Sequence, residues 1–105
     1  MYRSLLYLNV KPGLTDALVE WYKEVDSLGM AVELADCVST EIYALPDQPD
    51  RLLVTALWRE RDDYQRWVDH PFRQQLTAGI NQYIDDTFTE ASKGLLLSSL
   101  LSAPN

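Results

Sequence analysis

The side chains in this sequence that could do chemistry are aromatic rather than nucleophilic. Tyr43, Trp58, Tyr64 and Arg73 fall near the ends of predicted elements, with Trp21, Tyr22 and Trp67 as further aromatic candidates. No nucleophile motif, phosphate-binding loop or pair of catalytic carboxylates accompanies them. Aromatic rings with polar handles around an apolar hollow suit a flat aromatic ligand. A tyrosine there can handle a proton, and an arginine can offset negative charge developing on an oxygen.

Each candidate also has a plainer role. Tryptophan is commonly core, and an arginine just inside a helix start is by default solvated. Thr55, inside an apolar strand, fits either a backbone hydrogen bond or a ligand contact. His70, in Asp69-His70-Pro71, reads as a cap on the following helix, with acid–base work as the alternative. Cys37 reads as an inert, small apolar side chain. One cysteine and one histidine provide neither an intrachain disulfide nor a zinc site. Asp16, Glu20, Glu24, Asp26 and the Asp85-Asp86 pair read as solvated faces. From these residues no metal site is expected.

Composition narrows the partners. The chain has 105 residues, enough for one domain over 1–105, with 47% hydrophobic and 24% charged residues. Nine basic residues against sixteen acidic ones give a net charge of −7. That field opposes nucleic acid and anionic membranes, whose affinity comes from Lys and Arg. A neutral or aromatic small molecule fits better. The sequence contains neither a long apolar run nor a basic stretch leading into one, so a cytoplasmic location is expected.

The elements that must position these residues follow from period. Residues 2–10 read as a strand ending at the Lys11-Pro12-Gly13 turn. Leu14, Leu18, Trp21, Val25, Leu28 and Val32 then recur at helical spacing, predicting one amphipathic helix. Thr15 is its expected N-cap, with Gly29 marking fraying near its end. Residues 37–45 read as a second strand, and Pro46-Asp47-Gln48-Pro49-Asp50 turns it into a third, which together predict an antiparallel hairpin. A short helix is predicted from Asp62 to about Asp69. Pro71 then opens another helix, where its missing donor costs nothing. Its apolar stripe is Phe72, Leu76, Ile80, Tyr83, Ile84 and Phe88. Gly94 to Leu101 is read as a fourth strand pairing with the first, against a competing reading as a helical tail.

The sum is a ferredoxin-like βαββαβ domain, α+β in class, with an antiparallel sheet and helices on one face. The third strand is apolar at both parities: Leu52, Val54, Ala56 and Trp58 on one side, Leu53 and Leu57 around Thr55 on the other. The chain's own helices can cover one face only. A second copy covering the other predicts a homodimer built as a dimeric α/β barrel.

A strand ending in Lys-Pro-Gly, a long helix, a hairpin, then Trp58-Arg59-Glu60-Arg61-Asp62-Asp63-Tyr64 and a further helix resembles the antibiotic biosynthesis monooxygenase family over residues 2 to about 84. The resemblance implies a small dimeric α/β-barrel protein, and within that family the pattern is most similar to anthrone oxygenases of aromatic polyketide pathways. Their pocket uses a Tyr on the second strand, a Trp ending the third, a Tyr six residues later and an Arg on the next helix. Tyr43, Trp58 and Tyr64 match that pattern, and Arg73 matches with a short gap around Pro71. Where those oxygenases carry an Asn in the third strand, this chain has Val54. That departure bears on oxygenation while leaving a ligand pocket intact.

A second similarity is to small polyketide cyclases, through Met1-Tyr2-Arg3-Ser4-Leu5, His70-Pro71-Phe72 and Asn81-Gln82-Tyr83-Ile84. The acidic and aromatic residues of that family after the first helix are absent. Three functions follow in order of expectation. The first is a cofactor-independent monooxygenase acting on an aromatic, polyketide-like phenol or anthrone. It would hold the substrate rings with Tyr43 and Trp58, with Tyr64 and Arg73 serving the chemistry. The second is a non-catalytic dimeric module binding a small molecule. The third is an aromatic polyketide cyclase using His70 and Arg73.

Overall fold

A computed structural model describes residues 1–85 and 94–103. The element order is β1 (Tyr2–Asn9), α1 (Thr15–Val25), α2 (Ser27–Ala35), β2 (Ser39–Leu45), β3 (Gln48–Trp58), α3 (Arg61–Asp69), α4 (Pro71–Ile80) and β4 (Leu95–Ser98). The four strands form one sheet in the order β2-β3-β1-β4, every pairing antiparallel. This is the expected ferredoxin-like arrangement, with a pair of helices in each crossover and the helices packed over one face. Leu95–Ser98 pairs with Tyr2–Leu5, so the tail holds a strand rather than a helix, shorter than the expected Gly94 to Leu101.

Strand parity divides the sheet cleanly. Ser4 lies between Ala56 and Leu96, Leu6 beside Val54, and Leu8 beside Leu52, all on the helix-covered face. Tyr7, Tyr43, Leu95 and Leu97 share the other face and are exposed. Among the described residues, that second face has no helix over it. Leu53 and Leu57 are half-buried there, while Thr55, between Leu5 and Glu41, is buried.

The core falls into two clusters. One gathers Ala31, Ala35, Cys37, Ala56, Trp58, Tyr64, Trp67 and Val68. The other gathers Leu8, Val10, Leu18, Tyr22, Leu52, Ile80 and Ile84. Cys37 precedes β2 rather than opening it, and its thiol donates to the Ser39 and Leu57 carbonyls at 3.2 and 3.3 Å. Burial pushes that thiol above its ordinary value, against the pull of both bonds.

Three local expectations are corrected. The single helix after Lys11-Pro12-Gly13 is two helices, broken at Asp26, which adopts left-handed backbone angles (φ 52°, ψ 40°). Asp tolerates that region because its short polar side chain can bond locally. The break turns small Ala31 and Ala35 inward and leaves Val32 42% exposed, so Val32 is not core. Gly29 lies inside α2 rather than at a frayed end, with the Asp26 carboxylate against it.

Thr15 is likewise not the N-cap of α1. Leu14 holds that place, and the Thr15 hydroxyl donates instead to the Pro49 carbonyl at 3.0 Å, tying α1 to the hairpin. Finally, α4 stops at Ile80. The chain turns through Asn81–Tyr83 and Ile84 bridges to Val10, with Lys11 N–H donating to the Tyr83 carbonyl and Asp85 N–H to the Asn9 carbonyl. Ile84 is core through that bridge rather than as a helical residue. Asp86 and Phe88 lie outside the described residues.

Candidate functional site

Between the helices and the covered face of the sheet lies a partly enclosed cavity of about 80 Å³. It separates the two core clusters. Its floor is Ser4, Leu6, Val54, Ala56 and Trp58, and its roof comes from α1, α2, α3 and α4. All three tryptophans of the chain, Trp21, Trp58 and Trp67, line it.

Trp58 ends β3 at the floor. It is 1% exposed, and its indole N–H donates to the Ser4 hydroxyl at 3.0 Å across the β1–β3 pairing. A buried indole needs such a partner. Tyr64, one turn into α3, sets its ring edge-on to Trp58 at 5.6 Å. Its hydroxyl donates to the Gly94 carbonyl at 3.3 Å. Gly94 can stand there because it has no side chain: a Cβ would run into the Leu5 carbonyl.

On the opposite side, Trp21 packs edge-on to Tyr22 at 5.5 Å. Its indole crosses Gly79 so closely that an added Cβ would lie 2.6 Å from the ring. Trp67 is wedged against Phe72 at 6.2 Å and His70 at 6.4 Å.

Arg73 supplies the charge. Pro71 at the first position of α4 and His70, whose Nδ1 accepts from Phe72 N–H at 3.0 Å, fix the helix start. Arg73 then enters the cavity wall only 9% exposed. Burial pulls its guanidinium below the ordinary value, while Tyr64, Tyr22 and Asp69 support the charged form. The phenols respond in turn. Burial raises both Tyr22 and Tyr64 above the ordinary tyrosine value, with Arg73 acting against it. At neutral pH both therefore hold their protons and can donate them to an acceptor. The arrangement is a cation and two protonated phenols in a largely apolar hollow.

Of the residues expected at a site, the cavity brings together Trp58, Tyr64, Arg73, Trp21, Tyr22 and Trp67. Tyr43 and Thr55 are not among them. Both stand on the opposite face of the sheet, where Tyr43 is 45% exposed and its hydroxyl donates to the Glu41 carboxylate. The cause is parity: Ile42, the neighbour of Tyr43, is the one facing the core. His70 caps α4 as expected and does not line the cavity. Val54, where the oxygenase pattern has an amide, is in the floor and makes it apolar. Sequence reasoning passed over Ser4, Thr40 and Thr77, which also line the hollow. The Thr40 hydroxyl is occupied, donating to the Leu28 carbonyl at 3.1 Å. Among the described residues no three His, Cys, Asp or Glu side chains come close enough to hold a metal ion. No helix among them is long and apolar enough to cross a membrane.

The antibiotic biosynthesis monooxygenase family profile matches residues 1–78, which include β1 to α3 and most of α4 with Arg73. The chain belongs to this family. Solved structures share its fold. An antibiotic biosynthesis monooxygenase-type protein from Nitrosomonas europaea superposes with a TM-score of 0.75 at 15% identity, covering 94% of this chain and 89% of its own. Rv0793 from Mycobacterium tuberculosis gives 0.73 at 15% identity, covering 98% of each chain. A further antibiotic biosynthesis monooxygenase-type protein, from Chloroflexus aurantiacus, gives 0.67 at 17% identity, covering 98% and 96%. No curated protein matches the chain.

Proposed function

We propose that this member of the antibiotic biosynthesis monooxygenase family is a cofactor-independent monooxygenase acting on an aromatic, polyketide-like anthrone or phenol. The observation that carries the reading is Arg73: a buried guanidinium flanked by two protonated phenols in a cavity walled by indoles. An anthrone has an acidic C–H, whose proton would pass to solvent water entering the partly open cavity, because Tyr22, Tyr64 and Arg73 already hold their protons. When it leaves, charge gathers on the anthrone carbonyl oxygen. Arg73 would stabilise this oxyanion, and the low polarity around it strengthens the effect. Trp58 and Trp67 would hold the rings, and Tyr64 would donate to a ligand oxygen in exchange for its bond to Gly94.

The resulting carbanion gives its electrons to dioxygen, a C–O bond forms, and the peroxide is protonated. Loss of water then breaks the O–O bond and the remaining C–H bond and leaves a ketone. One oxygen atom ends in the product and the other in water, and the substrate itself is the reductant. We further propose that the protein acts as a homodimer through the open sheet face, which carries Tyr7, Tyr43, Leu95 and Leu97.

The test is substrate-dependent oxygen uptake with anthrone. Arg73→Gln and Trp58→Phe should each slow uptake, Arg73→Gln by roughly a hundredfold or more, as for loss of an oxyanion donor. Unchanged rates in both variants would dismiss the assignment. The apolar Val54 in the floor favours a second reading, a module that binds the aromatic without oxidising it. Binding without oxygen uptake would select that reading, and conversion that continues without oxygen would select a cyclase.

A further inference from the structure

Tyr22 and Tyr64 both line the cavity but belong to different core clusters, so they stand on opposite sides of it. Arg73 acts on both. Their hydroxyls differ in one respect. Tyr64 donates to the Gly94 carbonyl, whereas the Tyr22 hydroxyl makes no hydrogen bond among the described residues. The unpartnered hydroxyl oxygens of Thr55 and Thr77 are closed off from water, and that of Tyr22 is not. Yet Tyr22 is on the buried side of α1 with Leu18 and only 8% exposed. Its hydroxyl is the deep end of the ring: burial pushes the phenol well above the ordinary tyrosine value, with the Arg73 guanidinium of α4 opposing the rise. An oxygen so deep that water still reaches is reached through the cavity its ring lines. A buried donor in that position weakens the fold unless something in the cavity accepts from it.

We propose that Tyr22 is a specificity-determining residue, donating a hydrogen bond to a second oxygen of the aromatic ligand on the side of the cavity away from Tyr64. The inference rests on the cavity being the substrate site, where Arg73 and Tyr64 meet the reacting oxygen. It narrows the substrate class to aromatics oxygenated on two sides. A ligand with an oxygen toward α1 pairs the Tyr22 phenol. A ligand without one seals a buried donor away from water with nothing to accept from it, and the site discriminates against that ligand. A phenylalanine at this position would accept both kinds nearly equally.

Calorimetric titration with naphthalene, 1-naphthol and 1,5-dihydroxynaphthalene tests this without requiring turnover. The wild-type protein should bind the diol about fivefold more tightly than 1-naphthol, the ratio expected for one neutral hydrogen bond. Tyr22→Phe keeps the ring and removes the hydroxyl. It should bring that ratio close to one while leaving the affinity for naphthalene, which has no oxygen, unchanged. A wild-type ratio near one, a ratio that survives Tyr22→Phe, an equal loss of naphthalene binding in that variant, or no binding of any of the three overturns the assignment. Oxygen uptake with anthrone is read separately. A protein that prefers the diol through Tyr22 yet consumes no oxygen would retire the monooxygenase reading and leave the role of Tyr22 standing.

Discussion

The indole N–H of Trp58 and the hydroxyl of Ser4, both buried, meet at 3.0 Å between adjacent strands on the cavity floor. Ser4 pairs with Ala56 and Trp58 with Tyr2, so the contact runs diagonally across the ladder. It fixes the plane of the indole, and the indole in turn sets the edge-on position of Tyr64.

Ser4→Ala should therefore destabilise the protein by about 1–3 kcal/mol, the cost of a buried donor left without its partner. The same substitution made on a Trp58→Phe background should cost much less, because no indole N–H remains to be satisfied. Urea denaturation of the four proteins in this cycle provides the check. Equal losses on both backgrounds would show that the bond carries no coupling.

Gly79→Ala should reshape the cavity rather than stabilise α4. Alanine ordinarily gains about 1 kcal/mol over glycine inside a helix. Its Cβ would stand 2.6 Å from the Trp21 ring, whose other side is held by Tyr22 and Tyr83. The expected net result is destabilisation by about 1–3 kcal/mol, as for other overpacked sites, with a shift in tryptophan emission. A more stable protein with unchanged emission would mean that the indole moves freely.

Stability should fall on the alkaline side. Burial raises Tyr22, Tyr64 and Cys37 in the folded protein above their ordinary values of 10.0 for tyrosine and 9.0 for cysteine. Above those values the unfolded chain releases protons that the folded chain still holds, so rising pH favours unfolding. The stabilisation is complete below the ordinary values and is lost as pH climbs through the raised ones. Thermal melts from about pH 8 to about pH 11 should show the decline, and Tyr22→Phe should flatten it. A melting temperature constant over that span would contradict the burial of these groups.

The open sheet face should govern association. Tyr43 and Leu97 are 45% and 41% exposed on it. Exposed aromatic and aliphatic side chains gathered on one face are a common mark of an interface. Sedimentation is expected to show a dimer at micromolar concentration, and Tyr43→Lys with Leu97→Lys should yield folded monomer. A wild-type protein that sediments as a stable monomer would remove the dimer from the proposal.

Much of this architecture was legible in the residue pattern, and the exceptions have physical causes. The alternation from Leu52 to Trp58 marks β3 and both its faces, and Pro46 to Asp50 leave little choice but a hairpin. Pro71 after His70 gives a helix start that the Phe72 N–H to His70 bond completes. The break at Asp26 was hidden because Val25 and Leu28 keep the helical period on either side of it. The end of α4 was hidden because Tyr83 and Ile84 carry the helical period past Gly79 and the Asn81 cap, and the stop comes from the distant pairing of Ile84 with Val10.

The site was legible in part. Trp58, Tyr64 and Arg73 converge because a strand end, a helix start and the next helix start meet at one end of the sheet. Tyr43 shared the sequence spacing of a site residue, but it alternates with Ile42 and has the parity of Glu41, which is the solvent side. Thr77 carries no aromatic or charged signature. Its place four residues after Arg73 was the available signal, since both then share one side of α4.

A core split into two halves by a hollow has a thermodynamic corollary. The empty protein forgoes the packing that would join Trp58 and Ala56 to Tyr22 and Ile80, so an occupant that fits acts as a missing piece of the interior. At a hundred times its dissociation constant such an occupant adds about 2.7 kcal/mol to the folded state. Heat resistance should thus rise with cargo, and a panel of aromatics ranked by the melting point they confer becomes a direct way to ask this protein what it was shaped to hold.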